Sequence, residues 1–252
     1  MREKLIEERK KRIKKWLKGL AILLSVCFLV FLWFFIQAWF KNLSIFYIKN
    51  IIVEPREYEQ LIKTYIPVPK NTSIFALKLD EIYSKLKQIY FIDDCYLEKR
   101  IPDTLVIQLK IRTPWVLVID SRSAALMDRN GYFLPLQENF NGWNVEGMRV
   151  EEIGTKTSEI EKLEILKEIE QWYNYYGISN FFKIDTLSIE DIDKIELKSP
   201  EATLLIRGQD IDKQFEIAKK VLTGCKERNL QFEYIDLRFQ QPYVKEKIVP
   251  KT

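Results

Sequence analysis

The sequence predicts an α+β protein with an N-terminal transmembrane helix, a small module of order β-α-α-β-β, and a second, mostly antiparallel β domain containing two helices. Three observations support this prediction. One uncharged apolar run stands near the start of the chain. Helical and strand periodicities then alternate over about 67 residues, and hairpin signals follow them.

The apolar run extends from Gly19 to Phe40 and contains no charged side chain, although Lys18 and Lys41 flank it directly. At 1.5 Å per residue its 22 residues span about 33 Å as a helix, enough to cross a hydrocarbon core. The residues that follow it are bulky and aromatic, unlike the small residues at a signal-peptide cleavage site. We therefore predict one uncleaved transmembrane helix at 19–40.

Charge asymmetry predicts the orientation of this helix. Residues 1–18 carry nine Lys or Arg against three Glu, so the positive-inside rule places this basic tail in the cytoplasm, against anionic lipid. The remaining residues are then exported across the cytoplasmic (inner) membrane, to a periplasm or to a cell-wall side. With the whole chain at +4, the part after the tail carries a net charge of −2, so composition does not predict nucleic-acid binding.

Composition also argues against catalysis. The chain has no histidine, which excludes Ser-His-Asp triads and most zinc sites, and its eight glycines never form a phosphate-binding loop. The neighbouring acids Asp93-Asp94 and Glu151-Glu152 point apart in extended structure. We expect no enzymatic activity, cofactor, metal or small-molecule substrate. A membrane-anchored hydrolase stays open as an alternative that saturable turnover would support.

Outside the predicted anchor, the chain has only two cysteines, Cys95 and Cys225. Their predicted positions, on a strand of one domain and a helix of the other, do not favour a disulfide, although export would permit one.

The first predicted domain covers residues 46–112. Ile45 to Val53 is β-branched and loosely alternating, which predicts a strand, and Arg56 to Ile66 has helical spacing that ends before Pro67. A second helix is predicted from Asp80 as N-cap, with Ile82, Leu86 and Ile89 facing the core. Two strands, around 95–97 and 105–111, complete the module.

The second predicted domain covers 113–244 and is followed by a short tail at 245–252. An Asn130-Gly131 turn predicts a hairpin, and a Ser158/Glu161 capping box predicts the start of a helix that Gly177 ends. The remaining predicted elements are strands at 186–189, 194–198 and 202–207, and a helix at about 210–228.

The last predicted strand begins at Phe232 and alternates through Phe239 before extending to Val244 with few apolar residues. Such a weakly apolar strand is typical of a sheet edge, where unpaired backbone groups can add a partner's strand. An internal position for this strand is the alternative. The predicted partner-binding residues are Asp236, Leu237, Arg238, Phe239, Gln240, Gln241 and Tyr243.

Two sets of residues resemble the FtsQ/DivIB family of bacterial cell-division proteins. The first module is similar to the POTRA module of that family, and the last strand is similar to its Ile/Val-Asp-Leu-Arg-aromatic strand. The turn after the first strand departs from the family, with Glu54-Pro55 instead of glycine, and Tyr90-Phe91 stands where proline is usual. The matching residues of the module are Ile48, Ile51, Val53, Ile92, Cys95, Leu97, Lys99, Pro102, Thr104, Leu105, Ile107, Arg112 and Pro114.

This resemblance implies a non-enzymatic, bitopic scaffold of the division machinery that helps septum assembly. Its partners would be FtsB-type and FtsL-type single-pass proteins, bound through the exported domains. A different membrane-anchored POTRA protein, acting in polypeptide transport or chaperoning at the envelope, is the alternative that keeps the fold and changes the partner.

Overall fold

The computed structural model describes residues 16, 19–20, 23–36, 43–66 and 72–247. These residues form two compact units. The first contains the described residues up to Lys87 together with Asp94–Leu109, and the second contains Gln88–Asp93 and the described residues from Lys110 onward. The predicted domain boundaries at 46, 112 and 244 stay predictions.

The predicted anchor lies partly outside the described residues. Gly19 and residues 23–36 are helical, and the apolar side chains of the latter are exposed, whereas Phe40 and nearly all of the tail 1–18 are not described. Among the described residues, no helix combines the length and the apolar character needed to cross a membrane.

The first unit is built on a three-stranded sheet of order β1-β3-β2, in which β1 runs parallel to β3 and Ile51 pairs with Leu105. Two helices contribute buried apolar residues, among them Ile62 and Leu86. The order β-α-α-β-β agrees with the prediction. The elements are β1 (Asn50–Glu54), α1 (Glu59–Tyr65), α2 (Leu79–Leu86), β2 (Ile92–Arg100) and β3 (Thr104–Ile111), with 3-10 turns at Ser44–Phe46 and Arg56–Tyr58.

Two boundaries differ from the prediction. The first strand begins at Asn50 rather than Ile45, because Ser44–Phe46 forms a 3-10 turn and Tyr47 makes an isolated bridge to Ser73. The second helix begins at Leu79, so Asp80 lies in its first turn and not at the N-cap. An acid there still interacts favourably with the positive end of the helix dipole.

The described residues of the second unit form a nine-stranded sheet and two long helices. The sheet order is β12-β11-β10-β9-β8-β7-β4-β5-β6. Its elements are β4 (Val116–Ile119), β5 (Ala124–Met127), β6 (Phe133–Leu134), β7 (Trp143–Glu146), α3 (Ile160–Tyr175), β8 (Thr186–Asp191), β9 (Lys194–Lys198), β10 (Thr203–Ile206), α4 (Ile211–Glu227), β11 (Phe232–Asp236) and β12 (Tyr243–Glu246).

This sheet is mixed rather than uniformly antiparallel. The strands β4, β7 and β8 run parallel to one another, and β10 runs parallel to β11. The helix α3 connects β7 to β8, and α4 connects β10 to β11, so two of the parallel pairs are β-α-β crossovers. A helix between two strands is long enough to bring the chain back so that the second strand runs parallel to the first. A short turn between two strands instead makes them antiparallel.

Both long helices pack one apolar stripe against the sheet. Leu163, Leu166 and Ile169 of α3, and Phe215 and Leu222 of α4, share one core with the inward-facing strand residues. The predicted glycine at the end of α3 is confirmed, because Gly177 has φ +62° at the start of the following turn. The predicted capping box is wrong: α3 begins at Ile160, and the amide and hydroxyl of Ser158 instead donate to Glu151 at 2.7 Å each.

A buried ion pair lies at the Asn130-Gly131 turn, whose predicted role between β5 and β6 is confirmed by Gly131 at φ +87°. Asp128 accepts hydrogen bonds from the backbone amides of Asn130 and Tyr132, at 2.9 and 2.8 Å. It also accepts one from a terminal guanidinium nitrogen of Arg112 at 2.7 Å, and both side chains are almost fully buried. The Arg112 guanidinium lies 3.7 Å from the centroid of the Tyr132 ring. Asp128 therefore fixes this turn and neutralises a buried cation.

Both cysteines of the two units, Cys95 and Cys225, are free thiols, so the disulfide alternative is not realised. Burial raises the pKa of each thiol.

We predict that Asp128→Ala lowers the free energy of unfolding of the second unit by about 3 kcal/mol, because it removes the nearer carboxylate from the buried Arg112 cation, which keeps only Asp93 at 3.4 Å. Glu164→Ala is the matched control, since its carboxylate pairs with Lys167 at an exposed position and should contribute less than about 1 kcal/mol. Urea unfolding followed by near-UV circular dichroism measures both. Equal effects of the two substitutions would contradict the role given to Asp128.

Candidate functional site

The candidate site is the C-terminal edge of the nine-stranded sheet, formed by β12 and by the loop 237–242 that precedes it. The sequence predicted one edge strand from Phe232 through Val244, and this is wrong. The strand β11 ends at Asp236 and lies inside the sheet, between β10 and β12. After the loop, the chain returns antiparallel, pairing Tyr243 with Asp236, and β12 becomes the edge.

Two of the predicted partner-binding residues are buried in this arrangement. Asp236 is 7% exposed and Leu237 is 2% exposed, and Leu237 belongs to the apolar core. The backbone amide of Leu237 also donates to the carbonyl oxygen of Leu205 on β10, at 2.8 Å. Because both side chains are buried, neither can contact a partner unless the end of β11 unfolds. Their role in the site is therefore structural.

Asp236 holds Arg238 in a bidentate ion pair. The Nε and a terminal nitrogen of Arg238 donate to the two carboxylate oxygens at 2.9 and 2.7 Å, and the Arg238 amide donates at 3.1 Å. Burial acts to raise the pKa of Asp236, but the hydrogen bonds and charge of Arg238 outweigh it and lower that pKa below its usual value. The same hydrogen bonds raise the pKa of Arg238. The pair fixes the start of the loop and the orientation of the guanidinium.

The loop presents one large apolar side chain to solvent. Phe239 is 61% exposed, and its ring lies 5.4 Å from the Arg238 guanidinium carbon. Gln240 and Gln241 are exposed in the loop and not in a strand. Tyr243 is 55% exposed at the start of β12, and its ring centroid lies 5.8 Å from that of Tyr234. Phe239 and Tyr243 are thus two exposed aromatic groups close together along the chain.

The backbone of β12 is paired on one side. The amide of Lys247 donates to the carbonyl oxygen of Gln231 at 2.9 Å, toward β11. The register between the two strands shifts here, and the extra residue lies on β11, between Phe232 and Tyr234. Successive amides of β12 therefore still point to opposite sides, so the amide of Lys245 also points toward β11, and those of Val244 and Glu246 point away from it. In the described part of the chain, the sheet order places no strand beyond β12. The outward backbone groups of Val244 and Glu246 are therefore available to a further strand.

Sequence reasoning missed the residues that form this edge, namely Val244, Lys245 and Glu246. The Lys245 ammonium lies 2.8 Å from the Glu233 carboxylate and 5.6 Å from the centroid of the Tyr234 ring. The hydrogen bond to Glu233 raises the pKa of Lys245. A signal was present, since Pro242 follows two glutamines and favours a break between two strands.

The edge has features suited to binding an extended peptide. The carboxylates of Asp236 and Glu233 form ion pairs with Arg238 and Lys245, and among the described residues no three Cys, Asp or Glu side chains are grouped to hold a metal ion. Strand addition uses backbone hydrogen bonds for affinity and alternate side chains for selectivity, and β12 supplies both.

Comparison with known proteins relates this chain to two groups of curated proteins. It is 36% identical over 89 residues to the cell division protein FtsQ of Rickettsia typhi, covering 34% of this chain and 34% of that protein. It is 25% identical over 202 residues to the cell division protein DivIB of Clostridium tetani, covering 75% of this chain and 76% of that protein. The chain thus matches about a third of the length of the Rickettsia relatives, and a similar match is found in Rickettsia bellii. No family model matches the chain.

The DivIB match extends over most of the chain, and the FtsQ matches are stronger over a shorter segment. They agree with the resemblance predicted from the module residues and from the Asp-Leu-Arg strand. The chain is thus similar to cell-division proteins named FtsQ and DivIB.

Proposed function

We propose that this chain is a non-enzymatic, membrane-anchored scaffold of the bacterial cell-division machinery, which binds a single-pass partner through the open edge of β12. The names of the relatives support the role in cell division. The partner class, an FtsB-type protein accompanied by an FtsL-type protein, comes from the resemblance of the sequence to that family.

The observation that carries this proposal is the position of β12 at the end of the sheet. Its inner side is paired with β11, while the amides of Val244 and Glu246 point outward. An edge strand left open in this way is a hazard for aggregation unless a partner covers it or charges protect it. Lys245 and Glu246 place charges on this edge, and these charges protect the free protein against aggregation.

Side chains next to the edge support selectivity. Phe239 and Tyr243 are exposed aromatics, and aromatic side chains are enriched among residues that contribute most to binding. The bidentate pair with Asp236 holds the Arg238 guanidinium in one orientation before a partner arrives, which reduces the entropy lost on binding. A partner strand on β12 would pass close to these groups.

Membrane anchoring rests on the sequence. The described helical residues 23–36 span about 21 Å, and the uncharged residues on both sides would lengthen the run to about 33 Å. Exposed apolar side chains such as Phe28 and Phe31 are costly in water and favourable in lipid. We propose one transmembrane helix at 19–40, a cytoplasmic N-terminus, and exported units.

The proposed topology predicts the behaviour of reporter fusions in cells. A periplasmic-type reporter enzyme fused after Lys70 or after Thr252 should be active, and a cytoplasmic reporter fused at the same points should be inactive. Because the orientation follows from the basic tail, replacing Lys10, Lys11 and Lys14 with Glu should reduce export of both reporters. Cytoplasmic activity of either unmodified fusion would contradict the single-pass arrangement.

The proposed edge predicts that two substitutions weaken partner binding without unfolding the protein. Glu246→Pro removes an outward amide, so the protein should keep its thermal transition and lose binding to the soluble part of an FtsB-type partner. Phe239→Ala should also spare folding, because the side chain is mostly exposed, and should weaken binding by about 2 kcal/mol or more if Phe239 is an anchor. Isothermal titration calorimetry measures both affinities.

Lys245→Pro is the matched control, since it removes an inward amide and should destabilise the β11–β12 pair itself. Proline at Gln240 or Gln241 is not informative, because these residues lie in the loop. If Glu246→Pro and Phe239→Ala both bind like the unmodified chain, strand addition at β12 is wrong. If Phe239→Ala unfolds the second unit, the residue is part of the core and the interface lies elsewhere.

A further inference from the structure

The first unit exposes three large apolar side chains around the start of β1. Ile45 is 55% exposed, Phe75 is 43% exposed and Ile101 is 66% exposed. They come from three separate segments: the 3-10 turn before β1, the turn before α2, and the hairpin turn between β2 and β3. We call these three side chains the apolar rim. Exposed apolar groups gathered at one place mark surfaces that contact a partner, a ligand or a membrane.

Backbone hydrogen bonds join the first two segments of the rim. The amide of Ile74 donates to the carbonyl oxygen of Phe46 at 2.8 Å, and the amide of Ile48 donates to that of Thr72 at 3.0 Å. The rings of Phe46 and Phe75 pack edge to face, with their centroids 5.1 Å apart. The exposed side of Phe75 is therefore held on a paired backbone and against a second ring.

The hairpin turn that contains Ile101 is fixed to the same end of the sheet. The amides of Lys49 and Asn50 both donate to the carbonyl oxygen of Asp103, at 3.0 and 3.3 Å. Because β1 runs parallel to β3 and Asn50 pairs with Thr104, this turn lies beside the first residue of β1. All three side chains of the apolar rim therefore belong to one end of the sheet.

The covalent chain connects this end of the sheet to the proposed transmembrane helix. That helix is proposed to end at Phe40, and Ile45 follows five residues later. An extended chain spans at most 3.6 Å per residue, so Ile45 stands within about 18 Å of the end of the helix. The apolar rim consequently stays close to the surface of the bilayer whenever the helix is inserted.

Charges of both signs surround the apolar rim. Exposed pairs of this kind neutralise each other locally, so neither a strongly acidic nor a strongly basic partner is favoured here. The apolar side chains are then the feature that selects what binds. The charged groups are the pairs Lys49–Asp103 at 3.7 Å, Lys78–Glu81 at 2.7 Å and Arg100–Glu98 at 3.1 Å, with Lys99 as a further cation.

We propose that the apolar rim inserts into the interfacial layer of the bilayer that holds the anchor, so that the first unit rests on the membrane surface. This inference depends on the transmembrane helix of the proposed function and adds a second, peripheral contact with lipid. Apolar side chains of a folded segment are buried favourably at the boundary between headgroups and acyl chains. A bilayer that is tethered a few residues away has a high effective concentration, which favours lipid over a freely diffusing partner.

Photocrosslinking of the full chain in lipid nanodiscs tests the proposal. The photoreactive amino acid p-benzoylphenylalanine replaces one residue at a time, either Phe75 or Ile101, in nanodiscs that contain tritiated phosphatidylcholine. The matched control is replacement of Tyr96, which is 62% exposed on β2 of the same unit and lies about 16 Å along the strand from Ile101. After irradiation, the two rim positions should carry at least about fivefold more lipid than position 96.

Replacement of Phe28 separates the rim from the anchor, because lipid attached at this position reports insertion of the helix itself. Lipid at position 28 without an excess at positions 75 and 101 would overturn the rim proposal and leave the anchor intact. Absence of lipid at all of these positions would contradict both. Equal labelling at positions 75, 96 and 101 would also overturn the rim proposal.

Substitutions in the rim test whether its apolar character causes the contact. In the double variant Ile45→Asp, Ile101→Asp, lipid labelling at position 75 should fall about threefold or more, since charged groups oppose insertion. The control pair Leu136→Asp, Ile153→Asp changes exposed apolar residues of the second unit and should leave that labelling unchanged. Circular dichroism should show both variants folded. Unchanged labelling in the rim variant, or labelling that requires anionic phosphatidylglycerol, would contradict an apolar contact.

Discussion

The apolar layer between the nine-stranded sheet and the helices α3 and α4 determines the rest of the second unit. Each helix buries one stripe on the same face of the sheet, so each connection that contains a helix must leave a strand, cross that face and return parallel beside it. The last crossover places β11 inside the sheet. Among the residues described after β11 there is no further helix; the chain turns after Asp236, and β12 forms the open edge of the sheet.

The proposed edge follows from this arrangement. At the end of the strand order, the absence of a tenth described strand leaves the outward amides of β12 unpaired. The edge therefore offers backbone hydrogen bonds to a further strand.

The sequence predicted the elements whose signals are local. The Asn130-Gly131 turn, the Gly177 stop and the helix at about 210–228 are confirmed, because φ > 0 and helical periodicity are properties of a few neighbouring residues. The predicted Ser158 capping box is wrong because the Ser158 hydroxyl donates a hydrogen bond to Glu151, seven residues earlier in the sequence. The edge was predicted at the wrong strand, because the sequence of an alternating strand does not show whether one or two neighbouring strands pair with it. Only Pro242 indicated that the chain breaks there and continues as a second strand, β12.

Amide hydrogen exchange at single-residue resolution, measured by NMR with and without an FtsB-type partner, tests the central claim most directly. The account predicts that the amides of Val244 and Glu246 exchange rapidly in the free protein and become protected in the complex. The amide of Lys245 should be protected in both states, because β11 already pairs with it. Unchanged exchange at Val244 and Glu246 in a saturated complex would contradict strand addition at this edge.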